Sequence, residues 1–248
     1  MDKTIYDTYY HLEREHWWFQ ARQEIVLSFL ERYCPQFRKG RILDIGAGTG
    51  SFLEVLGQQG VDIEGHDASN EAIKYLKTKT QAKVQQKSFP EDYSQEVSDQ
   101  YDVIFLLDVL EHLKDDQAGM NEALRLIKPA GILICTVPAI KSMWSPYDVV
   151  SHHYRRYQSK ELKSIVSVAA GEIKKISYFS TFLFLLLYSV RVTENLISKV
   201  TKKIFYNPHV VSEPFNHILF SIARLEKHLL KRISFPIGSS LIMVVEKK

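Results

Sequence analysis

The sequence predicts an α/β protein: a mostly parallel sheet with helices on both faces. Three observations lead there. Short apolar runs alternate with helix-like stretches from residue 41 to residue 135. The first run, Ile42-Leu43-Asp44-Ile45, empties into the glycine-dense turn Gly46-Ala47-Gly48-Thr49-Gly50. An acidic residue, Asp67, closes the second run. A strand that passes through glycines into a helix lets backbone touch a nucleotide-like ligand.

The elements follow in chain order. An aromatic-rich segment over 6–19 precedes an amphipathic helix over about 21–33. Strands are expected at 42–45, 61–65, 82–86, 103–107 and 132–137, where apolar runs are short and flanked by polar or glycine residues. Helices are expected at 51–59, 70–79, 116–127 and 159–170. Ser69, Asp116 and Ser159 are the candidate N-caps, and Lys128-Pro129 is a stop signal. A sixth strand fits 172–178 and a seventh fits 240–246, beside it. Between them lies a segment of different character. It holds the apolar run 182–188 and, after the helix start Ser212-Glu213-Pro214, an amphipathic helix with Phe215, Ile218, Leu219, Ile222, Leu225 and Leu229 on one face. The chain thus divides into a cap (1–39), a core (40–178 with 239–248) and a helical insert (179–238).

Composition narrows the function classes. A chain of 248 residues, 45% hydrophobic, buries a full core and suits one domain with an elaboration. Only Cys34 and Cys135 are present, and Cys135 lies in an apolar run, so no disulfide framework or cysteine metal site is expected. The first residues lack a secretory h-region, and the apolar stretch 178–190 is shorter than the roughly 20 residues that span a bilayer. A cytoplasmic protein is the expectation. Net charge is +3, too little to argue for nucleic acid, yet 191–232 carries eight Lys or Arg against three Glu.

The glycine turn carries the chemistry. Glycine removes the Cβ that would hold a ligand away, and the following helix aims its N-terminal amides at that space. Asp67, 21 residues after Gly46, stands where a carboxylate accepts two ribose hydroxyls. A dinucleotide fingerprint wants glycine or alanine at the sixth position, where Ser51 stands. Asp44, just ahead of the loop, would repel a pyrophosphate and suits an ammonium or sulfonium group.

These residues, with 102–112, resemble the class I S-adenosylmethionine-dependent methyltransferases over 40–178 and 239–246. The resemblance implies a Rossmann-like seven-stranded sheet with an antiparallel last strand, a small-molecule acceptor among other classes, and S-adenosyl-L-methionine as cofactor. It places Asp44, Gly46, Ala47, Gly48 and Gly50 at the methionine part, Asp67 at the ribose and Ala68 at the adenosine. Ser88 and Phe89 fall at the adenine, where an acidic residue is frequent and this chain has Ser88. Asp108 is expected to line the pocket.

Methyl transfer is an in-line displacement on an activated carbon, so orientation, desolvation and removal of the acceptor's proton are the protein's tasks. No metal is called for. His112 serves either as a general base or as a loop anchor. The run His152-His153-Tyr154-Arg155-Arg156-Tyr157, preceded by Asp148, resembles a subgroup of the family carrying His-x-Arg-Arg-Tyr. His153 becomes a catalytic candidate, with Arg156 and Tyr157 at the acceptor. Two adjacent histidines lack helical zinc spacing, and six interleaved aromatic and basic residues are too few to read nucleic acid. His16-Trp17-Trp18-Phe19-Gln20-Ala21-Arg22 resembles the same subgroup. Arg22 either forks onto the cofactor carboxylate or lies solvated beside core aromatics. The insert reads as a lid over an apolar or lipid-linked acceptor, as a homodimer interface, or as a peripheral membrane contact. A protein or nucleic-acid methyltransferase and a non-catalytic scaffold remain as alternatives.

Overall fold

Two-residue alternation along the strands decides the layers. The computed structural model describes residues 3–166, 170–201 and 211–248. Its strands are β1 (Ile42–Ile45), β2 (Ile63–Asp67), β3 (Lys83–Gln86), β4 (Tyr101–Leu107), β5 (Ile127–Pro138), β6 (Gly171–Phe179) and β7 (Ser240–Lys247). They form one sheet in the order β3-β2-β1-β4-β5-β7-β6. β1 to β5 pair in parallel, and β7 runs antiparallel to both β5 and β6. The helices are α1 (Lys3–Glu15), α2 (Trp17–Tyr33), α3 (Ser51–Gly57), α4 (Asn70–Lys79), α5 (Asp116–Leu126), α6 (Pro146–Val150), α7 (Ser159–Ser164), α8 (Phe184–Thr201) and α9 (Glu213–Leu230).

Leu43, Ile45, Ile104, Leu106, Leu133, Cys135, Leu241 and Met243 pack on one face with Met120 and Leu124 of α5 and Leu162 of α7. Their alternates, Ile42, Val103, Phe105, Ile132, Ile134, Ile242 and Val244, pack on the other face with Ile25, Val26, Phe29 and Leu30 of α2 and Phe52, Leu53 and Leu56 of α3. Each such side chain contributes roughly 1.5–3 kcal/mol by leaving water. The same alternation puts Asp44 on the α2 face, a carboxylate at a position where the pattern otherwise places a hydrophobe. The sheet order reverses between β1 and β4, and the crevice at their C-terminal ends is where wound sheets receive ligands.

Several local expectations are corrected. Asp115, not Asp116, caps α5, its carboxylate accepting from the Ala118 amide at 2.8 Å. Gln158, not Ser159, precedes α7, with Glu161 reaching back to its amide. α7 ends at Ser164, so the helix expected over 159–170 is shorter, and 167–169 lie outside the described residues. β5 begins at Ile127 rather than 132, because Lys128-Pro129 stops the helix and the backbone enters the sheet at once. α2 starts at Trp17, four residues before the expected 21.

The insert departs most from its sequence pattern. The buried face of α9 is Asn216, Ala223, Glu226 and Leu230, while Phe215, Ile218, Leu225 and Leu229 of the expected apolar face are exposed. Polar contacts set that rotation. Asn216 accepts from the Trp17 amide and donates to the Glu15 carbonyl, both at 2.8 Å, so it spans the break between α1 and α2. Glu226 accepts from the Phe182 amide at 2.6 Å, and Glu24 of α2 holds Arg224 and Lys227. Among the described residues, no helix is long and apolar enough to cross a membrane.

Candidate active site

One cavity of about 1230 Å³ opens at the C-terminal ends of β1, β2 and β4. Its wall contains Gly46, Ala47, Gly48 and Thr49 of the glycine turn, with Asp44, Asp67, Ala68, Ser88, Phe89, Asp108, His112, His153, Arg156 and Arg22; Gly50, expected at the cofactor, is not part of it. Tyr157 does not line it: its buried hydroxyl donates to Asp116 at 2.7 Å, which removes it from the acceptor role expected of it.

The glycine end is built tightly. Gly46 and Gly50 adopt left-handed backbone, and a Cβ on either would stand 2.6 Å from Val109 or Leu76 respectively. Both oxygens of Asp67 are engaged, one by the Gly48 amide at 3.0 Å and one by the Ser69 amide at 2.8 Å, so this carboxylate sets the spacing between the β1 and β2 ends. Burial raises its pKa against those amides. α1 lies across the turn: Glu13 accepts from the Thr49 hydroxyl at 2.6 Å, and Arg14 bonds both Thr49 and Glu54.

Asp44 is buried, and its Oδ1 has no hydrogen-bond partner. Desolvation pushes its carboxyl up to about 8; Arg22 works against that shift, while Glu13 and Asp67 add to it. A buried carboxylate without a donor is costly on its own and becomes favourable beside a cation. Arg22 pairs with Asp108, at left-handed backbone on the end of β4, and lies over Trp18 and Phe19. Ser88 donates its amide to Asp92 at 2.7 Å, and Phe89 stacks edge-on against Tyr93.

The other end gathers 111–113 and 143–156. Asp148 has no exposed surface; its Oδ1 takes Nδ1 of His153 at 2.9 Å and Nε of Arg156 at 2.8 Å, and its Oδ2 takes the Ser145 amide. These partners hold the Asp148 carboxyl below its ordinary value despite burial. Arg156 also donates to the Ala139 carbonyl, so its guanidinium works chiefly as a brace. With Nδ1 engaged, His153 keeps Nε2 for the cavity. The His112 ring lies 4.7 Å from that of His153, nearly perpendicular. Desolvation, with His153 beside it, pushes the His112 imidazole down to about 4. The insert adds Leu186, Leu187, Val190 and Leu219 to an apolar wall that also includes Trp18, Phe19, Val109, Leu113 and Met143.

A family model described as a methyltransferase domain matches residues 16–171. The chain belongs to that family. The ubiquinone biosynthesis O-methyltransferase of Bordetella avium is 26% identical over 127 residues, covering 46% of this chain and 53% of that protein. The corresponding Aliivibrio fischeri enzyme is 30% identical over 96 residues, 37% of this chain and 41% of its own length. The matched segments thus span about half or less of these curated relatives. In fold, the methyltransferase chain is similar to a SAM-dependent methyltransferase from Archaeoglobus fulgidus (TM-score 0.56, 22% identity, 91% and 94% of the two chains). It is also similar to phosphoethanolamine N-methyltransferase 2 from Haemonchus contortus, solved with S-adenosyl-L-methionine (TM-score 0.54, 17% identity, 90% and 52%). The methyltransferase family match supports S-adenosylmethionine as the cofactor.

Sequence reasoning missed three contributors to the methyltransferase site. Glu13 and Arg14 sit on an aromatic helix with no motif around them, and Glu111 is a lone acidic residue between Leu110 and His112. Its carboxylate is fully buried, and among the described residues neither oxygen has a partner. Burial and the nearby Asp108 raise it well above the ordinary carboxylate range.

Proposed function

We propose that this chain transfers a methyl group from S-adenosylmethionine to an ionisable hydroxyl of an apolar or lipid-linked small molecule. One observation supports this most directly: a single cavity joins the acidic glycine end, the Asp148-held imidazole of His153 and the apolar side chains of the insert. When bound, the cofactor supplies an electrophilic methyl on a sulfonium.

This chain's residues do the rest. Asp44, kept protonated by burial, gives up that proton to face the cofactor's ammonium and sulfonium, with Glu13 and Asp67 near it. Arg22 is a cation at hand for a carboxylate, shared with Asp108. The amide at Gly48 fixes Asp67 for a ribose. His153 accepts the acceptor's proton at Nε2 while Asp148 holds its ring, and the Trp18, Phe19 and insert side chains keep water out. That the matched relatives are O-methyltransferases of ubiquinone biosynthesis fits a hydroxyl on an apolar carrier.

The insert acts as the acceptor lid in this reading. Its outward residues Leu185, Leu196, Val200, Phe215 and Ile218 are exposed, which supports a further contact with a membrane surface or a second copy. Radiolabelled cofactor offered to quinol, phenolic, sugar-nucleotide, RNA and protein pools tests the assignment. Label in an apolar-extractable product is expected, and label only in RNA or protein overturns it. Liposome flotation at low salt and sedimentation test the two surface contacts.

A further inference from the structure

Glu111, His112 and His153 each place one ligand atom within 4.8 Å of the others'. Residues 112 and 153 are far apart in sequence, and the pairing exists because the Tyr154 amide donates to the Glu111 carbonyl at 2.8 Å. The Glu111 carboxylate has no exposed surface, and neither of its oxygens has a hydrogen-bond partner. Unpaired buried carboxylates are costly, and the ordinary remedy of a donor is absent here among the described residues.

His153 is prepared in the way metal ligands are. It gives Nδ1–H to Asp148, itself braced by Arg156 and the Ser145 amide. One of its nitrogens is therefore tied to an outer acceptor and one lone pair is left over, the arrangement that fixes tautomer and ring direction around a bound cation. The His112 ring stands 4.7 Å from it, nearly perpendicular. All three residues line the cavity, so a cation there would keep an open side towards an entering acceptor.

We propose that Glu111, His112 and His153 bind a first-row divalent transition-metal cation that holds the acceptor oxygen. Two imidazoles and one carboxylate suit zinc, iron, cobalt or nickel better than magnesium, which prefers oxygen ligands. Metal–ligand distances of about 2.0–2.2 Å require the three atoms to draw in to about 3.3 Å of one another, a movement within the reach of side-chain rotation. This departs from the metal-free expectation of the sequence, which weighed only the adjacent pair His152 and His153. It rests on the methyltransferase reading and refines it: with the cation bound, His153 is a ligand and the acidified hydroxyl loses its proton to solvent before the methyl arrives, and without it His153 takes that proton.

The test uses the full chain, stripped with chelator and titrated with Zn²⁺ by calorimetry, with Co²⁺ absorption as the geometric readout. The expected result is one Zn²⁺ per chain, a Tm raised by the metal, and low-symmetry Co²⁺ bands. Glu111→Gln, which keeps shape, and His153→Gln should each weaken binding by about 100-fold or more, as loss of a ligand costs at least as much as loss of its outer partner. His217→Ala, which removes the exposed His217–Glu213 pair, should leave it unchanged. No zinc binding by the folded chain, or equal binding by Glu111→Gln, overturns the proposal. S-adenosylmethionine titrated into the stripped chain separates the two ideas. Cofactor binding without zinc binding sinks only the metal site, whereas absence of cofactor binding sinks the methyltransferase reading.

Discussion

Nδ1 of His153 lies 2.9 Å from Oδ1 of Asp148, a carboxylate with no exposed surface that also carries the Arg156 guanidinium. One acid thus fixes an imidazole for the cavity and neutralises a buried cation.

Replacing His153 with Ala removes the group proposed to meet the acceptor while leaving the Asp148–Arg156 pair. Turnover should fall by about 10²- to 10⁴-fold with the cofactor dissociation constant nearly unchanged. Asp148→Ala should additionally cost about 3–5 kcal/mol of stability, because Arg156 is left buried and unpaired. Single-turnover assays and urea melts of both variants check the split; equal stability losses would contradict it.

Asp44 predicts an opposition between stability and binding. The folded chain holds a proton on Asp44 that the unfolded chain releases, so this residue's contribution to stability falls as pH rises from the ordinary carboxylate range through about 8. Asp44→Asn removes that dependence. It should raise stability by about 1–3 kcal/mol near neutral pH while weakening the cofactor at least about tenfold. Cofactor binding to the wild-type chain at pH 7 should release a proton, measured by calorimetry in buffers of different ionisation enthalpy.

Gly46→Ala meets two obstacles, left-handed backbone and Val109 Cγ2 at 2.6 Å from the new Cβ. The double variant Gly46→Ala/Val109→Ala relieves the second and leaves the first. It should recover part of the lost stability, with a residual cost of about 1–2 kcal/mol. Full recovery in thermal melts would show that the backbone conformation carries no cost.

Arg22→Lys keeps the charge beside Asp108 but loses the planar fork. If Arg22 shares itself with a cofactor carboxylate, affinity should drop roughly tenfold in Lys and further in Ala. Equal affinity across Arg, Lys and Ala by calorimetry would assign it a packing role over Trp18 and Phe19.

Arg14 latches α1 to Thr49 and Glu54. Arg14→Ala should speed cofactor release about tenfold in stopped-flow fluorescence, with little change in melting temperature.

The sheet was legible because its strands are short, apolar and punctuated. The wall at the glycine end of the cavity was legible because a glycine turn, Asp44 and Asp67 are local patterns on two adjacent strands. What resisted reading was long-range and polar. The outward rotation of Phe215 and Ile218 follows from Asn216 and Glu226 finding partners on α2 and the 180–182 turn. Amphipathic spacing counts apolar residues and cannot see that two polar ones have better partners inside. Tyr157 looked like part of the acceptor run, yet Asp116, buried on α5, takes its hydroxyl. Glu111 and His153 meet only after β5 and α6 fold back across the end of β4.

The clamp made by Asn216 reaches beyond the local break it closes. A single side chain amide of α9 grips the last carbonyl of α1 and the first amide of α2. The segment across the glycine turn and the helix beside the apolar wall are therefore mechanically joined. With the cofactor at the glycine turn and the acceptor at that wall, as proposed, exchange of the one and entry of the other should be linked, each ligand altering the rate at which the other comes and goes.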